Sequence, residues 1–245
     1  MSRARSKTYS TRAIVLRTHP LGEADRIVVL ATREHGLVRA VAKGVRKPSS
    51  RFGARLEPFM VSDIQASEGR GLHTVTQAVS VAGYGVGIVQ DMDAFLFASA
   101  IAELAEVLGE GDASVPLYDL LLGAFAALAR AAYPPQLIFD AFAIRALARA
   151  GWDMSVDACA VTGSVEGLNA FSPSHGGVIA ARVPGASALR PGTRELLSSL
   201  KSGDWSSALG SDEAARRQAH GLTKSFLGWH LERTMSSLSR FDRQT

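Results

Sequence analysis

The hydropathy pattern of these 245 residues predicts an α+β chain of several domains, a small β-barrel followed by an α-helical body. Three observations predict it. The first 80 or so residues alternate apolar and polar with period two, the strand signature. From Asp91 the period changes to that of a helix, and between Trp152 and Pro191 neither period holds.

The strands can be placed in order. Ala13-Ile14-Val15-Leu16 is one apolar run and Arg26 to Thr32 a second, with Pro20, Gly22 and Glu23 marking the turn between them. Glu34-His35-Gly36 makes the next turn, and Leu37 to Lys43 forms a third strand. On it Arg39, Val41 and Lys43 share one face, and Val38, Ala40 and Ala42 the other. Phe59 to Gln65 and Leu72 to Ala82 are strands four and five, joined by Ser67-Glu68-Gly69-Arg70-Gly71. Five short strands in this length suit a closed barrel of the oligonucleotide-binding kind, and the order alone leaves an SH3-like barrel open.

The helices follow. Phe97, Ile101, Leu104 and Leu108 form one stripe, ended by Gly109. Ser114 and Pro116 open a second helix that runs to about Tyr133. Pro134-Pro135 breaks it, and a third helix runs from about Gln136 to Ala150, ending at Gly151. The last segment, Asp212 to about Leu238, sets Ala219, Leu222, Phe226 and Trp229 on one stripe. The expected divisions are the barrel at 1–82, helical segments at 83–155 and 191–245, and an irregular module at 156–190 between them.

Charge is divided unevenly. Residues 1–60 hold 13 Lys and Arg against 4 Asp and Glu, a net of +9, while the remaining 185 residues carry a net of −5. The densest part is Ala40 to Phe59, where Lys43, Arg46, Lys47, Arg51 and Arg55 stand against Glu57 alone. A front end this basic points to a polyanion, nucleic acid first. The candidate contacts are Arg12, Arg17, Arg26, Arg39, Lys43, Arg46, Lys47, Arg51 and Arg55, with Lys43, Arg46 and Arg39 leading. Aromatics are few in this region (Tyr9, Phe52 and Phe59), so contact to phosphate is favoured over base stacking.

Other chemistry is sparse. A Cys-x-x-Cys…Cys-x-x-Cys ribbon would place ligands at positions 159, 162, 180 and 183, which here are Cys, Thr, Ala and Val. One thiolate does not hold a tetrahedral zinc, and His175 alone does not make good the set, so no metal and no cofactor are expected. Gly83-x-Gly85-x-Gly87 lacks the rest of a dinucleotide loop and reads as a flexible strand end. Ser174-His175-Gly176-Gly177 hints at an oxyanion loop, without a nucleophile elbow to accompany it. Glu23 and Asp25 read as caps or partners of Arg26. With no catalytic set, a non-enzyme is expected. The lone cysteine fits a reducing compartment, and no apolar run is long enough to cross a bilayer, so a cytoplasmic, nucleoid-associated protein is expected. Arg130, Arg145 and Arg149 project from apolar helices, where they could meet an acidic, apolar peptide tail.

Several motifs together resemble the RecO family of bacterial recombination-repair mediators. They are Gly22-Glu23-Ala24-Asp25-Arg26, Glu34-His35-Gly36, Ala42-Lys43-Gly44-Val45-Arg46 with Ser49-Ser50, and Leu56-Glu57-Pro58-Phe59. Phe171-Ser172, Gly176-Gly177 and Lys224-Ser225-Phe226-Leu227 extend the likeness over nearly the whole chain. The resemblance implies an N-terminal OB-fold and a helical domain with an embedded zinc-finger-like module, here degenerate. It further implies binding to single- and double-stranded DNA and annealing of complementary strands. The partners it implies are RecR, the acidic C-terminal tail of single-stranded-DNA-binding protein and, indirectly, RecA. With three of four ligand positions replaced, the module would be held by apolar packing through Val161, Phe171, Val178 and Ile179. An OB-fold RNA-binding factor and, less favoured, a hydrolase using the Ser174-His175 region are the alternative readings.

Overall fold

The computed structural model describes residues 7–109, 115–180 and 183–231, which fall into two compact units, Met1–Ala132 and Tyr133–Thr245. In the first unit, β1 (Thr8–Leu21), β2 (Asp25–Thr32), β3 (Gly36–Ala42), β4 (Val61–Ser67) and β5 (His73–Ala82) close a barrel in the order β1-β2-β3-β5-β4. β1 makes the closure possible. It pairs with β4 through Thr8–Ile14 and with β2 through Ala13–Leu21, its register shifting between Val15 and Arg17. A bulge there bends the strand so that it serves two neighbours. The last seam is a short parallel one, Ala40 opposite His73 and Val41 opposite Thr74.

The oligonucleotide-binding barrel expected from the alternation is therefore present. β1 extends well beyond the apolar run Ala13–Leu16, because its polar flanks pair through the backbone; Thr8, Ser10 and Arg12 stay exposed, while Thr11 is buried and donates to Glu34. On β3 the two faces separate as expected, with Val38, Ala40 and Ala42 buried and Arg39 exposed. Inward residues from all five strands, among them Val15, Leu30, Ala40, Ile64 and Val75, make one core. Phe52 and Leu56, from the basic stretch between β3 and β4, join that core at 1% exposure each. Burying such side chains stabilises by about 1.5–3 kcal/mol apiece, so the basic segment is anchored to the barrel by its own apolar residues.

Three helices complete the unit: α1 (Tyr84–Ile88), α2 (Met92–Leu108) and α3 (Val115–Ala129). α2 begins where the Asp91 carboxylate accepts the Ala94 N–H at 2.9 Å and ends at Gly109, with Phe97, Ile101 and Leu104 buried. The Gly83-x-Gly85-x-Gly87 stretch corrects its sequence reading. It is a short helix, not a flexible strand end, because small residues let its backbone meet α3: a Cβ on Gly87 would lie 2.4 Å from the Ala129 carbonyl oxygen. α3 stops at Ala129 instead of Tyr133, and Ala131 turns the chain with φ 47. Ser114, its expected opening residue, lies outside the described residues. The passage from strand to helix after Ala82 falls within one unit.

The second unit holds α4 (Pro135–Arg149), a small sheet, α5 (Thr193–Ser202), α6 (Trp205–Leu209) and α7 (Glu213–Leu231). The sheet has β6 (Ala170–Ser172) between β7 (Gly177–Ile179) and β8 (Ser187–Ala188). Its packing follows the expected residues in part. Phe171, Val178 and Ile179 are wholly buried, whereas Val161 is 52% exposed, lying in a turn outside the sheet. Gly177 must be glycine, since its φ is 147 and a Cβ would meet the Ser155 carbonyl oxygen at 2.1 Å. On α7, Ala219, Leu222 and Phe226 face inward, and Phe226 meets Phe171 of β6 with ring centroids 6.2 Å apart. Trp229 leaves that stripe and is 59% exposed, because three residues beyond Phe226 the inward side is already filled by Leu227 and Leu231. Residues beyond Leu231, including the expected end near Leu238, lie outside the described residues.

Candidate nucleic-acid interface

Two loops build the basic surface. The β1–β2 turn carries Gly22 to Asp25, and the segment after β3 carries Lys43 to Lys47. Three hydrogen bonds stitch them together: Gly44 N–H to Asp25 Oδ1 at 2.7 Å, Arg46 N–H to the Ala24 carbonyl at 3.0 Å, and Arg46 Nη1 to the Gly22 carbonyl at 3.2 Å. Two motifs about 20 residues apart in sequence are therefore one structural element. Further along, Phe59 N–H donates to the Val15 carbonyl at 2.7 Å and Val15 N–H to the Met60 carbonyl at 2.9 Å, returning the loop to β1.

Within this frame the nine expected cations sort into two groups. Three are neutralised by carboxylates. Arg12 makes a two-pronged contact with Asp63, Nε to Oδ1 at 2.8 Å and Nη2 to Oδ2 at 3.1 Å. Its donated hydrogen bond holds the Asp63 carboxyl below the ordinary carboxylate range. Arg17 Nε stands 3.2 Å from Glu106 of α2, and Arg26 Nη1 lies 2.6 Å from Glu57. Arg26 therefore pairs across the loop rather than with Glu23 or Asp25, whose expected role as its partners is corrected here. Asp25 serves Gly44 instead.

The other six, Arg39, Lys43, Arg46, Lys47, Arg51 and Arg55, have no carboxylate ion pair among the described residues. Lys43, Arg46, Lys47 and Arg51 are exposed, on the loop just described. The Arg51 guanidinium sits 5.1 Å from the centroid of the Phe52 ring, which is itself buried in the core. Arg55 Nη1 donates to the Arg51 and Phe52 carbonyls at 2.7 and 3.2 Å, an arginine that ties the turn it stands on. Phe52 and Phe59 are 1% and 2% exposed, so neither offers a ring face to a base. What remains is a row of positive charge suited to phosphate.

Glu106 was not singled out by the sequence, because its place depends on α2 crossing the outside of the barrel. It is half-buried, and burial raises its pKa against the lowering effects of Arg17, Arg39 and His19. Arg17 and Arg39 sit in one row of the sheet, both opposite Val29, so this acid faces two of the expected contacts. Nothing in the sequence set it apart from Asp93 and Glu103 on the same helix.

The second unit holds most of the remaining candidates. Arg145 turns inward, its Nε donating to the Leu200 and Lys201 carbonyls at 3.0 and 3.1 Å and so capping α5. Arg149 is exposed at the end of α4, with Nη1 donating to the Arg145 carbonyl at 3.1 Å. Arg130 is exposed but belongs to the first unit. The Ser174-His175 region lacks a catalytic arrangement. His175 Nδ1 is 2.8 Å from the buried Ser172 Oγ and 3.3 Å from Ser174 Oγ, within one turn, and no carboxylate is paired with it among the described residues.

A five-stranded barrel in this order, with unpaired cations on a loop anchored in its core, defines an oligonucleotide-binding-type protein with a helical second unit. Residues 5–84 match the family model described as the N-terminal part of recombination protein O, and residues 89–239 match its C-terminal counterpart. A protein of Frankia casuarinae named DNA repair protein RecO is 45% identical over 240 residues, which is 96% of this chain and 98% of that one. The chain belongs to the RecO family of DNA repair proteins. No helix among the described residues is long and apolar enough to cross a membrane.

Proposed function

We propose that this chain is a non-enzymatic DNA mediator that binds single- and double-stranded DNA through the barrel and anneals complementary strands. The observation that carries the reading is the group of exposed, carboxylate-free cations Lys43, Arg46, Lys47 and Arg51 on one anchored loop. Phosphate neutralised there releases counterions and reduces the repulsion between two strands, so annealing requires no cofactor. Holding both strands on one protein raises their effective concentration. The helical part recruits RecR and the acidic tail of single-stranded-DNA-binding protein, with the exposed Arg130 or Arg149 as the candidate contact, and through them supports RecA loading.

Gel-shift and strand-annealing assays on a Lys43→Glu, Arg46→Glu, Lys47→Glu variant test the site. The salt slope should fall by about two to three, and annealing should be lost with it. Unchanged affinity and slope would remove the loop from the interface. Competition by RNA of the same sequence with equal potency would favour an RNA-binding factor instead. Pull-down of RecR and of the acidic tail tests the mediator role separately from charge.

A further inference from the structure

The second unit contains the spacing of a zinc ribbon without its donors. Paired ligands three residues apart, separated by 15–20 others, are the pattern of a four-cysteine site. Positions 159, 162, 180 and 183 keep that spacing but supply one thiol, one hydroxyl and two hydrocarbon side chains. Such a set does not fit zinc, and no group of three or more His, Cys, Asp or Glu gathers among the described residues.

The four positions nevertheless converge. Cys159 is 3% exposed, and its Sγ accepts the Ala180 N–H at 3.3 Å. Ala180 and Val183 pack with Cys159 in one apolar cluster. The backbone closes around the sulfur from both sides. Cys159 N–H donates to the Ser164 carbonyl at 2.7 Å, Gly163 N–H returns to the Cys159 carbonyl at 2.8 Å, and Ala160 N–H reaches Val178 of β7 at 2.8 Å. The Thr162 hydroxyl first, then the backbones of Ala180 and Thr162, draw the Cys159 thiol down to about 7 against its burial.

We propose that this module is a metal-free knuckle in which the Cys159 sulfur, bonded by the Ala180 N–H, wrapped by the 159–164 turn and packed by Val183, replaces the ion as the hub of a four-position cage. A metal joins two loops by bonding four side chains. Here one loop bonds the sulfur through the Ala180 N–H, the other closes on the Cys159 backbone, and the apolar groups at 180 and 183 fill the space that two thiolates would occupy. The fold of the module then does not depend on metal, whatever partner the chain serves.

The test uses the full chain. Wild type should take up no Co²⁺ in the tetrahedral thiolate absorption bands, and its thermal midpoint should not move when a zinc chelator is added. A Thr162→Cys, Ala180→Cys, Val183→Cys variant should bind one Co²⁺ per chain, displaced by one Zn²⁺, with a midpoint that chelator lowers. Stoichiometric zinc in wild type, or a folded triple variant with no tetrahedral cobalt spectrum, overturns the proposal. Should the triple variant not fold, Cys159 variants decide the matter. Cys159→Ala should lower the midpoint and Cys159→Ser, which keeps an acceptor, should lower it less, both without any chelator effect. A Cys159→Ala midpoint equal to that of wild type would show that the sulfur is not the hub.

Discussion

Arg17 Nε stands 3.2 Å from the Glu106 carboxylate, so a cation on barrel strand β1 is held by an acid on the helix that crosses it. Arg39 occupies the same row of the sheet, opposite Val29 as Arg17 is, and feels the same acid. If the basic surface binds DNA as proposed, Glu106 competes with phosphate for its edge.

Replacing that acid should strengthen DNA binding. Glu106→Gln removes one negative charge and frees Arg17, so affinity at low salt should rise and the salt slope should steepen by about 0.7–0.9. Burial raises the Glu106 pKa, so in wild type the carboxylate discharges at higher pH than an ordinary glutamate. The difference between variant and wild type should be full near neutral pH and close as pH falls through that titration. Fluorescence anisotropy with a labelled oligonucleotide, across salt and pH, reads both. A gap that stays constant with pH would detach Glu106 from the binding surface.

A second comparison separates paired from unpaired cations. Arg12 is matched by Asp63 in a two-pronged contact, whereas Lys47 has no ion pair among the described residues. Lys47→Ala should lower the salt slope by about 0.7–0.9, and Arg12→Ala should leave it near the wild-type value. Equal losses from the two variants would mean that net charge, and not this loop, governs binding.

Much of the barrel was legible because β3 shows each face in its own residues: Val38, Ala40 and Ala42 inward, Arg39 outward. The basic loop was legible from composition, but its division into paired and unpaired cations was not. Glu57, Asp63 and Glu106 come from the loop itself, β4 and α2, and only the closed barrel sets them beside Arg26, Arg12 and Arg17. The α5 and α6 helices were missed for a local reason: they are ten and five residues long, and glycines at 192, 203 and 210 bracket them. Arg145 read as a surface residue until α5 was in place to receive its hydrogen bonds.

The glycine stretch after β5 makes a stability prediction. Gly87 lies in helix α1 without a positive φ, so the constraint is space: its hydrogen faces the α3 backbone, where a Cβ would sit 2.4 Å from the Ala129 oxygen. A carbonyl is not a flexible side-chain tip, so α1 must shift away from α3. Gly87→Ala should therefore destabilise by about 1–3 kcal/mol, the range for overpacking a close contact. Denaturant unfolding reads this directly. A midpoint equal to that of wild type would mean that α1 has room to move.

The second unit makes a prediction about pH. Asp140 of α4 is fully buried, and its Oδ1 lies 2.8 Å from His220 Nδ1 of α7. Burial raises the Asp140 pKa above its ordinary value, while the hydrogen bond and charge of His220 pull the other way. A carboxyl with a raised folded-state pKa binds its proton more tightly when folded, so it favours folding at low pH. That contribution is complete below the unfolded-state pKa and is lost as pH rises through the folded-state value. Asp140→Asn keeps the shape and an acceptor for His220 but does not ionise. The stability of wild type relative to Asp140→Asn should therefore fall as pH is raised from the acid side of the carboxylate range towards neutrality. Paired denaturant titrations of both proteins at several pH values measure the slope. A wild-type advantage that grows with pH would mean that the ionised carboxylate is the stabilising form, held by His220 more strongly than burial penalises it.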